Sequence, residues 1–504
     1  MFSIRGTRRT LCDGVSRREL LRIGGLGAFG WGLSDQLLAQ EALTSRRPTA
    51  QQAGLAASFG RAKSCILIFL YGSPPQHETF DPKPDAPVEI QGEMKATSTK
   101  VPGIAICEAL PRTAQIVDKT TIVRSLNHPY PLHGVAYAVS GLPSYTPDLE
   151  ARPLDARHWP YIGSVVDYVN SGNSKSEALP QNVALPWMLN SKTDLLVNAG
   201  PFSGFLSANH NPIWTDFSGA GTRTVPKYTD GQAKEFLDPF GGTTPSGKFM
   251  LSQHAVLPEN VSVERLGLRR SLLAQMNQMR QSVDHVAIDG FAAKQEQAYA
   301  LLTSSAMTRA LDIHSEAMGL REDYGMTLFG QSCLAARRLV ESNVKFVSVF
   351  WDGFGQFANC AWDTHNNHFP RLKEYLLPGF DAAYPALIRD LDQRGLLRTK
   401  LWSCVLVNMD ERPRLTPSRK ARGRHHWSRA YSAILAGGGI GRGQVVGRTD
   451  HLGGDVIDAP ISPKDILATA FHLIGIDPHL LVHDRQGRPV PISGDGQVRS
   501  ELLS

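Results

Sequence analysis

Cysteine is scarce. The 504 residues hold six, Cys12, Cys65, Cys107, Cys333, Cys360 and Cys404, and no two stand in a CxxC spacing. A scattered set of this kind argues against a thiolate zinc site and against a disulfide framework. Charge of one sign is lacking as well: 53 basic against 47 acidic residues leave a net +6. Part of that excess sits in residues 1–42, where six arginines face only Asp13, Glu19, Asp35 and Glu41. No Lys/Arg-dense stretch with interleaved aromatics occurs, so nothing points to a nucleic-acid groove. No strongly apolar run approaches the roughly 20 residues that a membrane helix needs. Internal repeats are absent, and 42% hydrophobic with 20% charged residues is a globular composition, neither disordered nor collagen-like.

The N-terminus reads as an export signal. Arg17 and Arg18 sit in Ser16-Arg17-Arg18-Glu19-Leu20-Leu21, ahead of a weakly apolar, glycine-rich run from Ile23 to Leu38 that Asp35 interrupts, with small residues near Ala39 to Ala42. Position, basic start and small-residue exit together predict a twin-arginine signal peptide over 1–42, too polar to remain as a stable span in the mature chain. The twin-arginine export machinery is then a partner, and the periplasm or extracellular space the destination. Because that route carries folded proteins, often already loaded with a metal or cofactor, it raises the expectation of a bound metal.

A polar linker (43–60) leads into a domain expected over 61–500. Cys65-Ile66-Leu67-Ile68-Phe69-Leu70 is a continuous apolar run ended by Gly72, Pro74 and Pro75, as expected of a strand buried on both faces in a parallel sheet. Similar runs recur at Val344 to Phe350 and Trp402 to Val407. Between them Phe380, Ala383, Tyr384, Leu387, Ile388 and Leu391 keep helical spacing after Pro378, which makes a βαβ unit and an α/β fold. Pro385 within that helix is expected to kink it. Residues 218–248 read as a long loop, and about 250–330 as an inserted helical elaboration. Ser462-Pro463-Lys464-Asp465 signals a helix start and Gly475 its stop, while Gly437-Gly438-Gly439 reads as a strand-exit turn.

In an open α/β sheet, ligands gather beyond the carboxyl ends of the strands, and polar clusters follow all three runs. The first gives Gln76-His77-Glu78-Thr79-Phe80-Asp81, the second Trp362-Asp363-Thr364-His365-Asn366-Asn367-His368, the third Asp410-Glu411 and then Gly423-Arg424-His425-His426-Trp427. His128 and His133 flank Pro129-Tyr130-Pro131 after another short apolar run. Imidazole with carboxylate and without thiolate suits a divalent Zn, Mn, Fe or Ca/Mg ion. An Asp-x-His pair such as Asp363 and His365 puts both side chains on one side of an extended segment, and two ions roughly 4 Å apart would clamp an ester oxygen. Thr79 reads equally as a turn cap or a nucleophile, and Asp81-Pro82 as a turn start. His128 and His133 read as semi-buried structural histidines or as proton donors lining a site. Arg424 offers a bidentate fork to an anionic substrate group, or a plain ion pair. His368 and His425 read as surface residues, His451, His479 and His483 as surface or structural ones.

Taken jointly and in order, these stretches resemble a known family. They are Gln76 to Pro87, Asn127-His128-Pro129-Tyr130-Pro131-Leu132-His133-Gly134, Phe329-Gly330-Gln331-Ser332-Cys333, Trp362-Asp363-Thr364-His365, His426-Trp427 and Ala436 to Ile440. The family is one of twin-arginine-exported bacterial proteins with a sulfatase-like domain of unknown function, within the alkaline phosphatase superfamily, and the resemblance covers nearly everything after the leader. It implies a three-layer α/β/α sandwich with a mostly parallel central sheet and a metal-centred hydrolase site at the strand ends. It also implies metal ligands at Glu78, Asp363, His365 and His426, with a further acid from Asp410 or Glu411. The implied function is an exported metal-dependent hydrolase of sulfate or phosphate esters, small-molecule or polysaccharide; the rival is a non-catalytic exported binding protein with a degenerate metal site. Two stretches depart from the family pattern. Asn408 to Pro417 replaces a Ser/Gly-Glu-(His/Phe)-Gly-Arg-Thr-Pro run, and His425 stands where the family has Asp in Gly-Arg-Asp-His-Trp. The sulfatase nucleophile signature is absent, so an arylsulfatase that uses an oxidised cysteine is not expected.

Overall fold

The computed structural model describes residues 50–129, 135–141, 149, 152–171, 179–193, 200–227, 236–252, 271, 305–355, 362–399, 401–406, 410–411 and 423–504. The expected leader, His133 and most of the expected 250–330 elaboration lie outside them. The chain divides into two compact units, Met1–Ala56 and Ala57–Ser504, and the sheet lies in the second. No described helix is long and apolar enough to cross a membrane.

Among the described residues, nine strands form one sheet. In chain order they are β1 (Ser64–Leu70), β2 (Thr120–Leu126), β3 (Asn182–Leu185), β4 (Ile213–Ser218), β5 (Lys248–Leu251), β6 (Phe346–Trp351), β7 (Leu401–Leu406), and, after a two-stranded ribbon of β8 (Asp410–Glu411) with β9 (His426–Trp427), β10 (Tyr431–Gly437) and β11 (Gln444–Val446). The spatial order is β11-β2-β10-β7-β1-β6-β3-β4-β5. The five neighbours β7, β1, β6, β3 and β4 are mutually parallel, whereas β10 and β5 run against their neighbours. The fold is therefore mixed α/β with a mostly parallel central sheet. The three apolar runs become β1, β6 and β7; β6 starts two residues later than the run at Val344 suggests, because Val344 closes the preceding helix by donating its N–H to Leu339.

Alternation explains why β1 is apolar from Cys65 to Leu70. Ile66, Ile68 and Leu70 join a core with α3 (Leu328–Glu341) and α4 (Leu377–Gln393), while Cys65, Leu67 and Phe69 join a second core with α1 (Val135–Ser140), α2 (Ile162–Ser171) and α5 (Pro463–Leu473). Successive strand side chains point to opposite faces, so a strand with helices against both faces shows no alternation of apolar and polar residues. At roughly 25 cal/mol per Å² of apolar surface buried, such strands anchor the domain. Pro385 lies inside α4, which is entered directly from a π-helical stretch, Leu372–Leu376. Of 218–248, expected as a loop, Ser218 ends β4 and Lys248 starts β5, and the described residues between them carry no helix and one isolated bridge, Gly221 to Thr243. β10 ends at Gly437, and Gly437, Gly438 and Gly439 all take positive φ, as a strand-exit turn through glycines requires.

Candidate metal centre

Because β7, β1 and β6 are adjacent and parallel, the segments following all three leave the same edge of the sheet. Three contacts gather those segments. Tyr71, just past β1, donates its N–H to Trp351 at the end of β6 (3.2 Å) and accepts the N–H of Trp362 (2.9 Å), which pins the residue before Asp363 to the strand ends. The Trp362 ring is fully buried, edge-on to Trp351 and Phe380. Gly423 lies flat on the Thr364 and His365 carbonyls, where any Cβ would collide with both oxygens. Only glycine lets the ribbon approach that closely.

The result is a cluster of three half-buried donors. Asp363, His365 and His426 each offer one ligand atom, all within 4.8 Å of one another. His365 Nε2 stands 2.8 Å from Asp363 Oδ1, and the His365 and His426 rings meet edge to face at 4.5 Å between centroids. One carboxylate and two imidazoles so close together are a donor set able to hold a borderline divalent ion. Arg371, itself buried, donates to the Asp363 carbonyl and fixes that loop from below.

Glu78, expected as a ligand, is instead held in a buried ion pair. Arg424 grips its carboxylate with a two-pronged fork, Nε to Oε2 at 2.9 Å and Nη2 to Oε1 at 2.5 Å, and Nη2 also donates to the Ile90 carbonyl (2.8 Å). Both side chains are wholly shielded from solvent. Burial alone would raise the Glu78 pKa; the Arg424 and His368 charges and hydrogen bonds outweigh it and hold the carboxyl at about 2. Of the two readings of Arg424, a fork to a substrate anion or a plain ion pair, the structure shows the ion pair, buried and on Glu78. His368, expected at the surface, is fully buried: its Nδ1 bonds Thr364 Oγ1 (2.7 Å) and its Nε2 faces Glu78 Oε2 at 3.5 Å. Thr364, His368, Glu78 and Arg424 thus form one chain of contacts through all three segments, with Thr364 between two cluster residues and Arg424 two before the third.

The remaining candidates fall elsewhere. Thr79 is buried and donates its hydroxyl to the Pro75 carbonyl (2.8 Å), the turn-capping arrangement. Asp81 binds Lys83 (3.0 Å) and Thr449 (2.5 Å). His128 is buried edge-on to Tyr137 and Tyr431, and its N–H donates to the Ser428 carbonyl (2.8 Å), close in chain to His426. In β8, Glu411 pairs in register with His426 and Asp410 with Trp427. His451, His479 and His483 are exposed.

The sequence gives no role to His77 or Asp352, and it reads His425 as a surface residue. His77 is buried with Nε2 at 2.8 Å from the Leu452 carbonyl, and burial, then the Arg424 charge, lowers its pKa to about 4. The ring is neutral and donates from Nε2. Asp352, immediately after β6, accepts from Trp187 Nε1 (3.1 Å) and from the Asn190 and Gly353 N–H groups (2.7 and 2.8 Å), and burial pushes its pKa up to about 7. His425 is exposed, as expected, yet its Nδ1 lies 3.0 Å from Nδ1 of His365; its place beside His426, where the family pattern has Asp, is the sequence signal for it.

A family model matches residues 62–503, a span that contains every residue of this cluster. The chain belongs to the family described as protein of unknown function DUF1501. No curated protein matches it.

Proposed function

We propose that this DUF1501 chain is an exported, metal-dependent hydrolase of sulfate or phosphate esters on a three-layer α/β/α sandwich of the alkaline phosphatase type. The observation that carries this reading is the convergence of Asp363, His365 and His426 within 4.8 Å beyond three adjacent parallel strands. Three protein donors are the number that catalytic sites use while keeping a position open for substrate or water. Asp363 supplies the negative charge, and His365 and His426 bind through unprotonated ring nitrogens. A bound divalent ion supplies Lewis acidity toward an ester oxygen and lowers the pKa of water. Water fits the role of nucleophile better than Thr79, whose hydroxyl is tied to its own turn. With Arg424 committed to Glu78, it does not serve the substrate anion. Arg17 and Arg18 support export in the folded state to the periplasm or beyond.

Elemental analysis of the folded, exported protein, purified without added metal or chelator, tests this. Roughly one equivalent of a divalent ion is expected per chain, lost in Asp363→Ala together with turnover of a panel of aryl and alkyl sulfate and phosphate esters. A well-folded sample that neither carries nor takes up an ion would sink the hydrolase in favour of a binding protein.

A further inference from the structure

We infer that His425 is a positioning residue of this centre: it accepts a hydrogen bond from Nδ1 of His365 and so fixes the His365 ring with the Nε2 lone pair toward the ion. The inference rests on the metal-centred reading above. The two nitrogens of His365 face opposite partners. Nε2 stands 2.8 Å from Asp363 Oδ1, on the side of the three-donor cluster, and Nδ1 stands 3.0 Å from Nδ1 of His425. The His365 and His425 rings meet nearly at right angles, 81°, with centroids 4.9 Å apart.

Two imidazole nitrogens in hydrogen-bond contact share one proton; one donates and the other accepts. An ion bound by both Asp363 and His365 takes the lone pair of Nε2, so the neutral His365 ring carries its proton on Nδ1 and is the donor. His425 accepts at Nδ1 and keeps its own proton on Nε2. Metal-binding histidines characteristically give their second N–H to a carboxylate, a carbonyl or water, and this partner sets both ring orientation and basicity. Here an imidazole does that work. It leaves His365 a weaker base than a carboxylate acceptor would, so affinity should follow the strength of the acceptor at position 425.

Zn²⁺ affinity of the full chain, measured by competition with a chromophoric chelator, tests this in His425→Ala, His425→Asn and His425→Asp, beside the visible spectrum of the Co²⁺-loaded forms. His425→Ala is expected to bind about 10- to 100-fold more weakly. His425→Asn, whose amide oxygen can accept, should recover most of the loss, and His425→Asp should bind at least as tightly as the parent. Because His425 is exposed, the metal-free variants should melt together with the metal-free parent. Parental affinity in His425→Ala, or equal losses in all three variants, would overturn the assignment. So would a changed Co²⁺ coordination number in His425→Ala, which would make His425 a ligand. A parent chain that binds no ion would sink the metal-centred reading itself, and the same titration distinguishes that case.

Discussion

Glu78 and Arg424 make the sharpest energetic statement at the scale of single residues. A carboxylate with no solvent exposure costs several kcal/mol to desolvate, and it stays ionised only because the guanidinium fork and His368 face it. Removing one partner leaves the other charge buried and unmatched. Arg424→Met should therefore destabilise the metal-free chain by about 3–5 kcal/mol, read as a lowered urea midpoint in the presence of chelator. Acid should act through the same pair. The folded Glu78 carboxyl titrates near 2, below its ordinary value of 4.5, so the folded state binds fewer protons than the unfolded one between those values. The pair's contribution is complete above the unfolded pKa and is lost progressively as pH falls from about 4.5 toward 2. Urea midpoints of the metal-free parent should fall over that window more steeply than those of Glu78→Gln; parallel curves would show that the pair contributes nothing.

At the scale of elements, the fold was legible where one physical signal dominates. β1, β6 and β7 announce themselves because each is an apolar run with a single serine, Ser64, Ser348 or Ser403, as its one polar residue, and in β1 and β6 the run is buried on both faces. α5 does so through its capping box, in which Ser462 Oγ accepts the Asp465 N–H and the Asp465 carboxylate accepts the Ser462 N–H at 2.9 Å. β3 has only four residues and β4 is half exposed, so neither carries a run long enough to separate strand from loop. The site divides in the same way. Asp363 and His365 follow from Asp-x-His spacing at a strand end, whereas the burial of Glu78 against Arg424 depends on a partner 346 residues away that no local pattern encodes. Gly423 is the hinge of this long-range assembly, since it alone lets the β8–β9 ribbon lie on the Thr364 and His365 carbonyls. Gly423→Ala would force the ribbon away from backbone that cannot yield. The expected cost is about 1–3 kcal/mol of stability with weakened Zn²⁺ binding, while far-UV circular dichroism stays unchanged because the sheet core is untouched. Binding at parental strength would show that the ribbon does not set the position of His426.

For the whole molecule, the consequence is a linkage between ion and fold. The three donors come from segments that follow β6 and β7, and their supports reach back to the segment after β1, so the centre exists only when strands distant in sequence lie side by side. The unfolded chain cannot present Asp363, His365 and His426 together. An ion that binds only the native state stabilises it by RT ln(1 + [L]/Kd), which is about 2.7 kcal/mol at a hundredfold excess over Kd. The apparent melting temperature should thus keep rising with the logarithm of free Zn²⁺ instead of levelling off once the site is full, because each further tenfold excess adds about 1.4 kcal/mol. Asp363→Ala should give a flat line over the same range. His425→Ala should give a line of the same slope displaced to higher Zn²⁺, since weakening a site moves the concentration at which linkage begins and leaves the stoichiometry alone. A rise that persists undiminished in Asp363→Ala would place the stabilising ion elsewhere in the chain and separate the fold's dependence on metal from the cluster at the strand ends.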